Sequence, residues 1–234
     1  MIADLHSHIL PELDDGSASV EESLAMLEML REQGITTVVA TPHFYAHRDR
    51  PETFLAKRAA AMELLREAAK AQPELPNVLL GAEVYYYPGM SGSEELRQLT
   101  IDDSGYILVE MPMGKWTDRM YEELVQLWEV QGLVPVIAHV DRYISPMSTH
   151  GIPKRLAQLP VLVQANAGFF LRSSTARMAA GMLKKDQIHL LGSDCHNMHT
   201  RIPRLGEAVA RIRKTLGPQY LEQIASYQAQ ILNR

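Results

Sequence analysis

Histidines and carboxylates recur along this chain in patterns that suit metal ligation. His6 and His8 stand in DLHSH, His43 in ATPH, Glu83 in GAEVYY, Glu110 in LVEMP, His139 in IAHVDRY, and Asp194 and His196 in SDCHN. In HSH and DCH the paired residues are two apart. On an extended chain that spacing turns both side chains to one face and the middle residue away, so Ser7 and Cys195 are expected to point out of any cluster. PELDDG, just past the first motif, adds Asp14 and Asp15. Imidazole mixed with carboxylate, without thiolate, suits manganese, iron or zinc rather than a cysteine-rich structural zinc site.

A rival chemistry overlaps the last motif. Residues 195–201 read CHNMHTR, and the chain's only cysteine, Cys195, is separated from Arg201 by five residues. That is the C-x5-R spacing of thiolate loops that attack phosphate esters. Such a loop needs backbone N–H groups converging on the anion, hence glycines and a following helix N-terminus. CHNMHTR has no glycine, and Pro203 removes a donor. The thiolate reading also leaves the other motifs without a purpose. Cys195 is expected to be a bystander.

The elements that must position these residues can be read from periodicity. Strands are predicted over Ile2–Leu5, Thr36–Ala40, Val78–Gly81, Tyr106–Val109, Val134–Ala138, Val161–Gln164 and Ile188–Leu191, alternating with segments of helical period. Ser19–Gln33 opens with Ser19 and Glu22 as a capping box and stops at Gly34. Thr117–Gln131 places Tyr121, Leu124, Val125 and Trp128 on one face and stops at Gly132. Helices around Arg204–Leu216 and Pro218–Leu232 close the chain. Strict βα alternation implies a parallel sheet, and seven units in 234 residues imply a (β/α)7 barrel of TIM-like kind, slightly shorter than the roughly 250 residues of an eight-unit barrel. Each predicted strand is followed by a ligand-type or hydrogen-bonding residue, Asn166 included, at the C-terminal rim where parallel barrels build their sites.

A lone histidine after a strand is usually a capped loop residue. Seven strand ends carrying such residues make coincidence the weaker explanation. His47, His150, His189 and His199 are left with structural roles, and Asp4 is expected to support the site rather than bind in it. At 46% apolar and 22% charged the chain has the composition of a globular protein, and no linker divides it, so residues 1–234 are expected to form a single domain. The net charge of −5 argues against a nucleic-acid or anionic-membrane surface. No leader, membrane span or disulfide framework is apparent, which points to the cytoplasm and to no direct insertion into a membrane. Oligomeric state is left open.

The motifs in this order, DLHSH, ATPHF, GAEVYY, LVEMP, IAHVDRY, QANAG and SDCHN…R, resemble the polymerase and histidinol phosphatase (PHP) superfamily. Within it, DDGS and AHVDRY are similar to the bacterial manganese-dependent protein-tyrosine phosphatases of capsule and exopolysaccharide operons. The resemblance runs from residue 1 to about residue 215. It implies a distorted (β/α)7 barrel, the PHP fold, holding three divalent metal ions, manganese first with iron or zinc as alternatives. It implies that His6, His8, Glu83 and Asp194 hold the first ion, with Glu83 bridging to a second completed by Glu110 and His139. Asp15, His43 and His196 would hold the third, Asp15 being chosen over Asp14 because it directly precedes the glycine. Arg142 and Arg201 match the family's phosphate-binding arginines. Asp141 stands where the family usually has Glu, and the tail ASYQAQILNR lacks the usual Asn-Pro, so nothing is inferred for residues 218–234.

The function so implied is a phosphoric monoester hydrolase acting on phosphotyrosine, its partners autophosphorylating bacterial tyrosine kinases. Clustered metals lower the pKa of a bound water toward about 7, and the arginines would clamp the phosphoryl oxygens. Two other readings share the cluster: a phosphatase of a small metabolite such as histidinol phosphate, and a non-catalytic metal-binding regulatory module. Phe44, Tyr45, Tyr85, Met113, Trp116, Phe169 and Phe170 all follow strand ends and are expected to wall an entrance fitted to an aromatic ring.

Overall fold

A computed structural model describes residues 2–232. Its strands are β1 (Asp4–Ser7), β2 (Thr37–Ala40), β3 (His43–Phe44), β4 (Asn77–Leu80), β5 (Glu83–Tyr85), β6 (Tyr106–Glu110), β7 (Val134–Ile137), β8 (Leu162–Asn166) and β9 (Leu190–Gly192). Helices α1 (Val20–Glu32), α2 (Pro51–Ala69), α3 (Asp118–Gln131), α4 (Ile152–Leu156), α5 (Ala167–Leu171), α6 (Ala176–Lys184), α7 (Leu205–Thr215) and α8 (Gln219–Leu232) surround them. All strand pairing among the named elements is parallel: β1 with β2, β2 with β4, β3 with β5, then β5, β6, β7, β8 and β9 in order. Pro42, which has no N–H to give, interrupts one barrel strand between β2 and β3. A break at Gly81–Ala82 matches it in the neighbour. Gly81 N–H donates to the Ala40 carbonyl at 2.9 Å and Glu83 N–H to that of Pro42 at 3.0 Å, so the pairing runs through both breaks. Among the described residues the nine segments therefore fill seven barrel positions.

The ring closes between β9 and β1 through a seam rather than a full ladder. Ser7 and Cys195 form a parallel bridge. Asp194 N–H donates to the His6 carbonyl at 2.8 Å, and His8 N–H to that of Cys195 at 2.9 Å. Two of the expected ligand motifs are thus stitched to each other by backbone. The register of β1 shifts between Asp4 and Ser7. A bulge of this kind turns neighbouring side chains toward one side: Leu5 packs with the barrel interior, and His6 faces Gln164 beside it.

Alternation along the strands separates two apolar layers. Val38, Ile107, Val109, Ile137, Val163 and Leu191 pack outward against Met26, Leu27, Leu124 and Leu183 of the helices. Val39, Leu108, Val136, Ala138 and Leu190 fill the interior below the polar mouth. Ile231 of α8 joins the interior group, so the terminal helix plugs the bottom of the barrel. Gln228 fixes it there: its side-chain oxygen accepts from Ala3 N–H at 2.9 Å and its amide donates to the Ala3 carbonyl at 2.8 Å. The tail for which the sequence suggested no role is thus a structural lid on the floor.

Local signals act as expected with small differences. Ser19 accepts from Glu22 N–H at 3.2 Å, capping α1. The Glu22 carboxylate turns instead to Ala18 N–H at 2.9 Å and Met198 N–H at 3.0 Å, tying the helix to the loop after β9. Gly132, at φ +69°, ends α3 in a left-handed turn that favours glycine. Several strands run one or two residues further than periodicity suggested, so His6, Glu83, Glu110 and Asn166 lie inside ladders, not after them. Polar inward positions near the mouth break the apolar pattern before the backbone pairing ends. Helix α2 carries no strong apolar stripe. It is anchored partly by buried Arg58, which donates to the carbonyls of Gly81 at 2.7 Å and Gln98 at 2.9 Å. Among the described residues no helix is long and apolar enough to cross a membrane.

Gln228→Ala should strand a buried N–H and a buried C=O of Ala3. The expected cost is about 2–4 kcal/mol, from two unmade hydrogen bonds at a buried site. A urea midpoint within error of the parent would show that α8 is not held in this way.

Candidate metal centre

At the C-terminal mouth the nine residues expected as ligands come together. Glu83 lies at their middle and is buried. Its Oε2 stands 3.2 Å from His6 Nε2, 3.2 Å from His8 Nε2 and 3.1 Å from His43 Nδ1. Its Oε1 meets His139 Nε2 at 2.7 Å. Glu110 stands 3.5 Å from His139 Nε2 and 3.9 Å from His43 Nδ1. Asp194 Oδ1 is 3.6 Å from His6 Nε2 and 3.7 Å from His8 Nε2. Asp15 Oδ1 is 3.4 Å from His43 Nε2 and 3.5 Å from His196 Nε2. Three sets have the mutual spacing for an ion: His6, His8 and Asp194; His43, Glu83 and Glu110; His8, Asp15, His43 and His196. The grouping differs in detail from the expected one. His43 offers Nδ1 to one set and Nε2 to another, and His139 contacts both glutamates from the side.

Backbone devices aim these groups. His139 and Asp194 hold φ of +31° and +52°, values uncommon outside glycine. Both amides are satisfied there, His139 N–H by Gln164 Oε1 at 2.5 Å and Asp194 N–H by the His6 carbonyl. Strain at residues that present ligands is the pattern expected of a working site. Two glycines provide clearance. A Cβ on Gly192 would lie 2.6 Å from His6 Cβ and 2.8 Å from Gln164 Nε2. One on Gly16 would lie 2.2 Å from the His8 carbonyl oxygen, which is why a glycine follows the two aspartates.

The residues that orient the ligands were mostly missed in the sequence. Gln164 Oε1 also pairs with His6 Nδ1 at 3.2 Å, and its amide donates to Asn166 Oδ1 at 3.0 Å. Asn166 in turn donates to Asp194 Oδ2 at 2.8 Å. QANAG contains both, but only their inward alternation along β8 could have singled out Gln164. Asp14 is turned inward to His8 Nδ1 at 2.7 Å and accepts from His43 N–H at 3.0 Å and Gly16 N–H at 2.9 Å. Asp15 faces the mouth. Asp4 accepts from Ser193 N–H at 2.8 Å and His6 N–H at 3.3 Å, holding the seam from below. Burial pushes its carboxyl up to about 6. Asp141 accepts from Asn166 N–H at 2.9 Å.

The electrostatics describe a site balanced for cations. Burial works against charge on Glu83, yet His6, His139 and His8 hold it well below the usual range. Burial likewise disfavours protonated His8, but Asp14 and Glu83 outweigh it and raise the imidazole to about 10. His196 is driven down to about 3 by burial and by repulsion from His8. Burial and Glu83 push Glu110 up. His6 and His8 are both raised because the neighbouring carboxylates favour positive charge among them, which divalent ions would supply. Glu83 Oε2, His43 Nδ1 and His196 Nε2 are buried without a directed hydrogen-bond partner. Orphaned lone pairs at the centre of a carboxylate–imidazole cluster fit metal ligation.

Arg142 and Arg201 approach from the rim, each about one-third exposed. Arg142 donates to Asp194 Oδ2, and Arg201 donates to Oδ1 at 2.7 Å. Arg142 also lies 3.5 Å from Glu110. Cys195 is fully buried in the outer apolar layer, and burial drives its thiol well above the ordinary range. A thiolate nucleophile needs the reverse. The expected aromatic wall is smaller than the sequence suggested. Phe44, Trp116, Phe169 and Phe170 are buried in the core, because strand-end residues that alternate outward meet the helices. Tyr45 and Tyr85 remain at the mouth, 5.7 Å apart between ring centroids, with Tyr45 5.4 Å from the His43 ring. Met113 is exposed. Among the remaining histidines, His189 accepts from Val163 N–H at 2.9 Å in a structural role, and His150 and His199 are exposed.

Comparison with known proteins identifies relatives over nearly the whole chain. The capsular polysaccharide synthesis CpsB/CapC family matches residues 2–233. The tyrosine-protein phosphatase YwqE of Bacillus subtilis (strain 168) is 31% identical, the match covering 99% of this chain and 91% of that one. The tyrosine-protein phosphatase CpsB of Streptococcus agalactiae serotype III (strain NEM316) is 28% identical over 97% and 96%. Among solved structures, one from work on the metal-dependent tyrosine phosphatases YwqE of B. subtilis and CpsB of Streptococcus pneumoniae superposes with a TM-score of 0.84 at 25% identity, covering 100% of this chain and 95% of that one. A histidinol phosphate phosphatase of Lactococcus lactis, solved with zinc, L-histidinol and phosphate, shares the fold at a TM-score of 0.57 and 14% identity, with 94% of each chain covered.

Two substitutions separate the centre from its bystander. Cys195→Ala should keep kcat within about twofold while costing about 1–2 kcal/mol of stability through the lost buried sulfur. Gly192→Ala should press on His6 and Gln164 and lower metal affinity by about tenfold or more. Metal content and turnover of both purified variants check this. Loss of turnover in Cys195→Ala with metal still bound would return the thiolate reading.

Proposed function

The chain belongs to the capsular polysaccharide synthesis CpsB/CapC family, and from that premise we propose that it is a metal-dependent protein-tyrosine phosphatase. The observation that carries the proposal is the convergence of nine imidazole and carboxylate side chains at one barrel mouth, with Arg142 and Arg201 on either side of Asp194. On this reading residues 1–234 act as one domain, cytoplasmic, and the metals are three divalent ions, manganese first. His6, His8, Asp194 and Glu83 would hold one. Glu83, Glu110 and His139 would hold the second, with His43 Nδ1 at hand. Asp15, His43 and His196 would hold the third. The phosphoprotein partner is an autophosphorylating bacterial tyrosine kinase, as the capsule-synthesis family suggests.

Ions bound there supply a water acidic enough to attack at neutral pH and positive charge against the phosphoryl oxygens. The chain's own residues do the rest. Arg142 and Arg201 each present a guanidinium to the phosphoryl oxygens and stabilise charge that grows in the transition state. Asn166 holds Asp194 in place while the arginines change partner from carboxylate to substrate. Asp14 keeps a proton on His8 Nδ1 and so leaves Nε2 free for the cluster. Tyr45 and Tyr85 offer ring faces beside the mouth for an aromatic leaving group. Burial raises Tyr45 to about 12, well above the neutral range in which a general acid is most effective. A phenolate with pKa near 10 departs with far less help than a serine alkoxide.

Chelator-stripped protein should be inactive and should recover with Mn2+. Full turnover by demonstrably metal-free protein would overturn the assignment. Arg142→Ala and Arg201→Ala should keep their metal and each lose about 2–5 kcal/mol of transition-state stabilisation, a few tens to a few thousand fold in kcat/KM. Lysine should not fully restore either, because a point charge cannot make a two-pronged contact. Matched peptides should show phosphotyrosine preferred over phosphoserine, with histidinol phosphate a poor substrate. A tenfold preference for either rival, about 1.4 kcal/mol, would leave only a metal-dependent phosphoesterase.

A further inference from the structure

On the flank of the mouth formed by the ends of β8 and β9, the rim opens into a pocket of about 470 Å3. Four arginines line it: Arg142, Arg172, Arg201 and Arg204. Two carboxylates, Asp141 and Asp194, share the lining. Both carboxylates are already engaged. Asp194 faces Arg142, Arg201 and Asn166, and Asp141 accepts from the backbone of Asn166. With Glu207 paired to Arg204, four arginines meet three carboxylates, which leaves one positive charge in excess around this opening, on a chain whose net charge is −5.

Arg172 and Arg204 take no part in the metal centre. Arg204 is braced by Glu207 through two bonds of 2.8 Å. Arg172 makes no ion pair with a carboxylate among the described residues, and its guanidinium lies over Gly168, where a Cβ would come within 2.9 Å of Nη2. That glycine gives Arg172 space at the pocket wall. An exposed arginine needs no explanation alone. An arginine with no carboxylate in direct contact, attracted only from farther off by Asp141, on the same small cavity as Arg142 and Arg201, does.

We infer that this pocket is a second anion subsite, which receives an acidic group close in sequence to the phosphotyrosine of the substrate. The inference rests on the phosphatase reading above. It adds that the favoured substrates are anionic segments, with a carboxylate or a second phosphoryl group beside the reacting residue. Arg142 and Arg201 line both the metal centre and the pocket, so the two anions lie on either side of one guanidinium pair. Arg172 and Arg204 supply the outer half of the subsite.

The test uses Mn2+-loaded full-length protein and peptides of one frame, each with a single hydrolysable phosphotyrosine. Flanking residues are alanine, aspartate or a non-hydrolysable phosphotyrosine phosphonate. Acidic flanks should lower KM by about three- to tenfold at low salt, the scale of exposed, charge-assisted contacts, and the advantage should shrink as salt is raised. The aspartate and phosphonate arms tell which anion is preferred. Arg172→Ala and the Arg172→Ala, Arg204→Ala double variant should lose the advantage while turning over the alanine-flanked peptide and free phosphotyrosine as the parent does. Equal KM across flanks in the parent, or an advantage that survives the double variant, would overturn the subsite while leaving the phosphatase intact. Binding of fully non-hydrolysable peptides, measured alongside, keeps the two readings apart. Flank-dependent affinity without any turnover would retain the subsite and remove the phosphatase.

Discussion

Glu83 is the constraint around which the rest of this molecule is arranged. A carboxylate buried in the mouth of a barrel is costly unless cations meet it. Here three imidazole nitrogens crowd one of its oxygens at 3.1–3.2 Å and a fourth meets the other at 2.7 Å. Protons alone serve the arrangement poorly, because His6 Nε2 and His8 Nε2 stand 3.2 Å apart and cannot both carry one comfortably. Divalent ions among these groups would supply the positive charge that the buried carboxylate requires. Among the described residues, few features near the mouth lack an explanation in that requirement. The break before β5 sets Glu83 against β3, Gly192 clears space for His6, and Gln164 locks His6 and the His139 backbone with one oxygen.

The barrel is closed at the same place where it is chemically loaded. The seam between β9 and β1 is made by the backbones of His6, His8, Asp194 and Cys195, so strain in the ligands and closure of the sheet cannot be separated. This explains why the cysteine sits between two ligand residues without being one. The alternation that turns Asp194 and His196 into the mouth turns Cys195 into the apolar layer, where burial suppresses its thiolate. At the opposite end, Gln228 and Ile231 of α8 secure the floor, leaving the top free to be polar.

Periodicity sufficed for the barrel because strands such as β2, β6 and β7 carry β-branched or leucine residues on both faces, and because α1 and α3 are bounded by Ser19 and Gly132. It sufficed to bring the candidate ligands together because His-x-His and Asp-x-His keep two side chains on one face whatever the exact strand limits. It did less well where polar residues lie inward. Gln164 and Asn166 carry no ionisable group, and their importance depends on which strand neighbours they meet across the barrel. Choosing Asp15 over Asp14 needed a family resemblance, since the residues differ only in which side of one turn they occupy. In the structure one bonds to His8 and the other faces solvent and two imidazoles. The aromatic entrance was overread for a related reason. A ring after a strand end is as readily outward, beneath a helix, as inward at the mouth, and Phe44 and Phe169 took the first course.

The arginines show how such a centre can attract an anion despite a net negative chain. Long-range attraction to the whole molecule is unfavourable at −5, but charges farther than about 8–10 Å are screened at physiological salt. What an approaching phosphoryl group meets is local. Arg142 and Arg201 stand in front of Asp194, with Arg172 and Arg204 beside them on the same pocket. Both inner guanidinium groups are parked on a carboxylate that divalent ions would claim. Cations held by Asp194 would compete with the arginines for its oxygens and would add positive charge beneath them. On the proposed reading, metal loading and phosphate affinity would meet at this one aspartate, which both arginines contact.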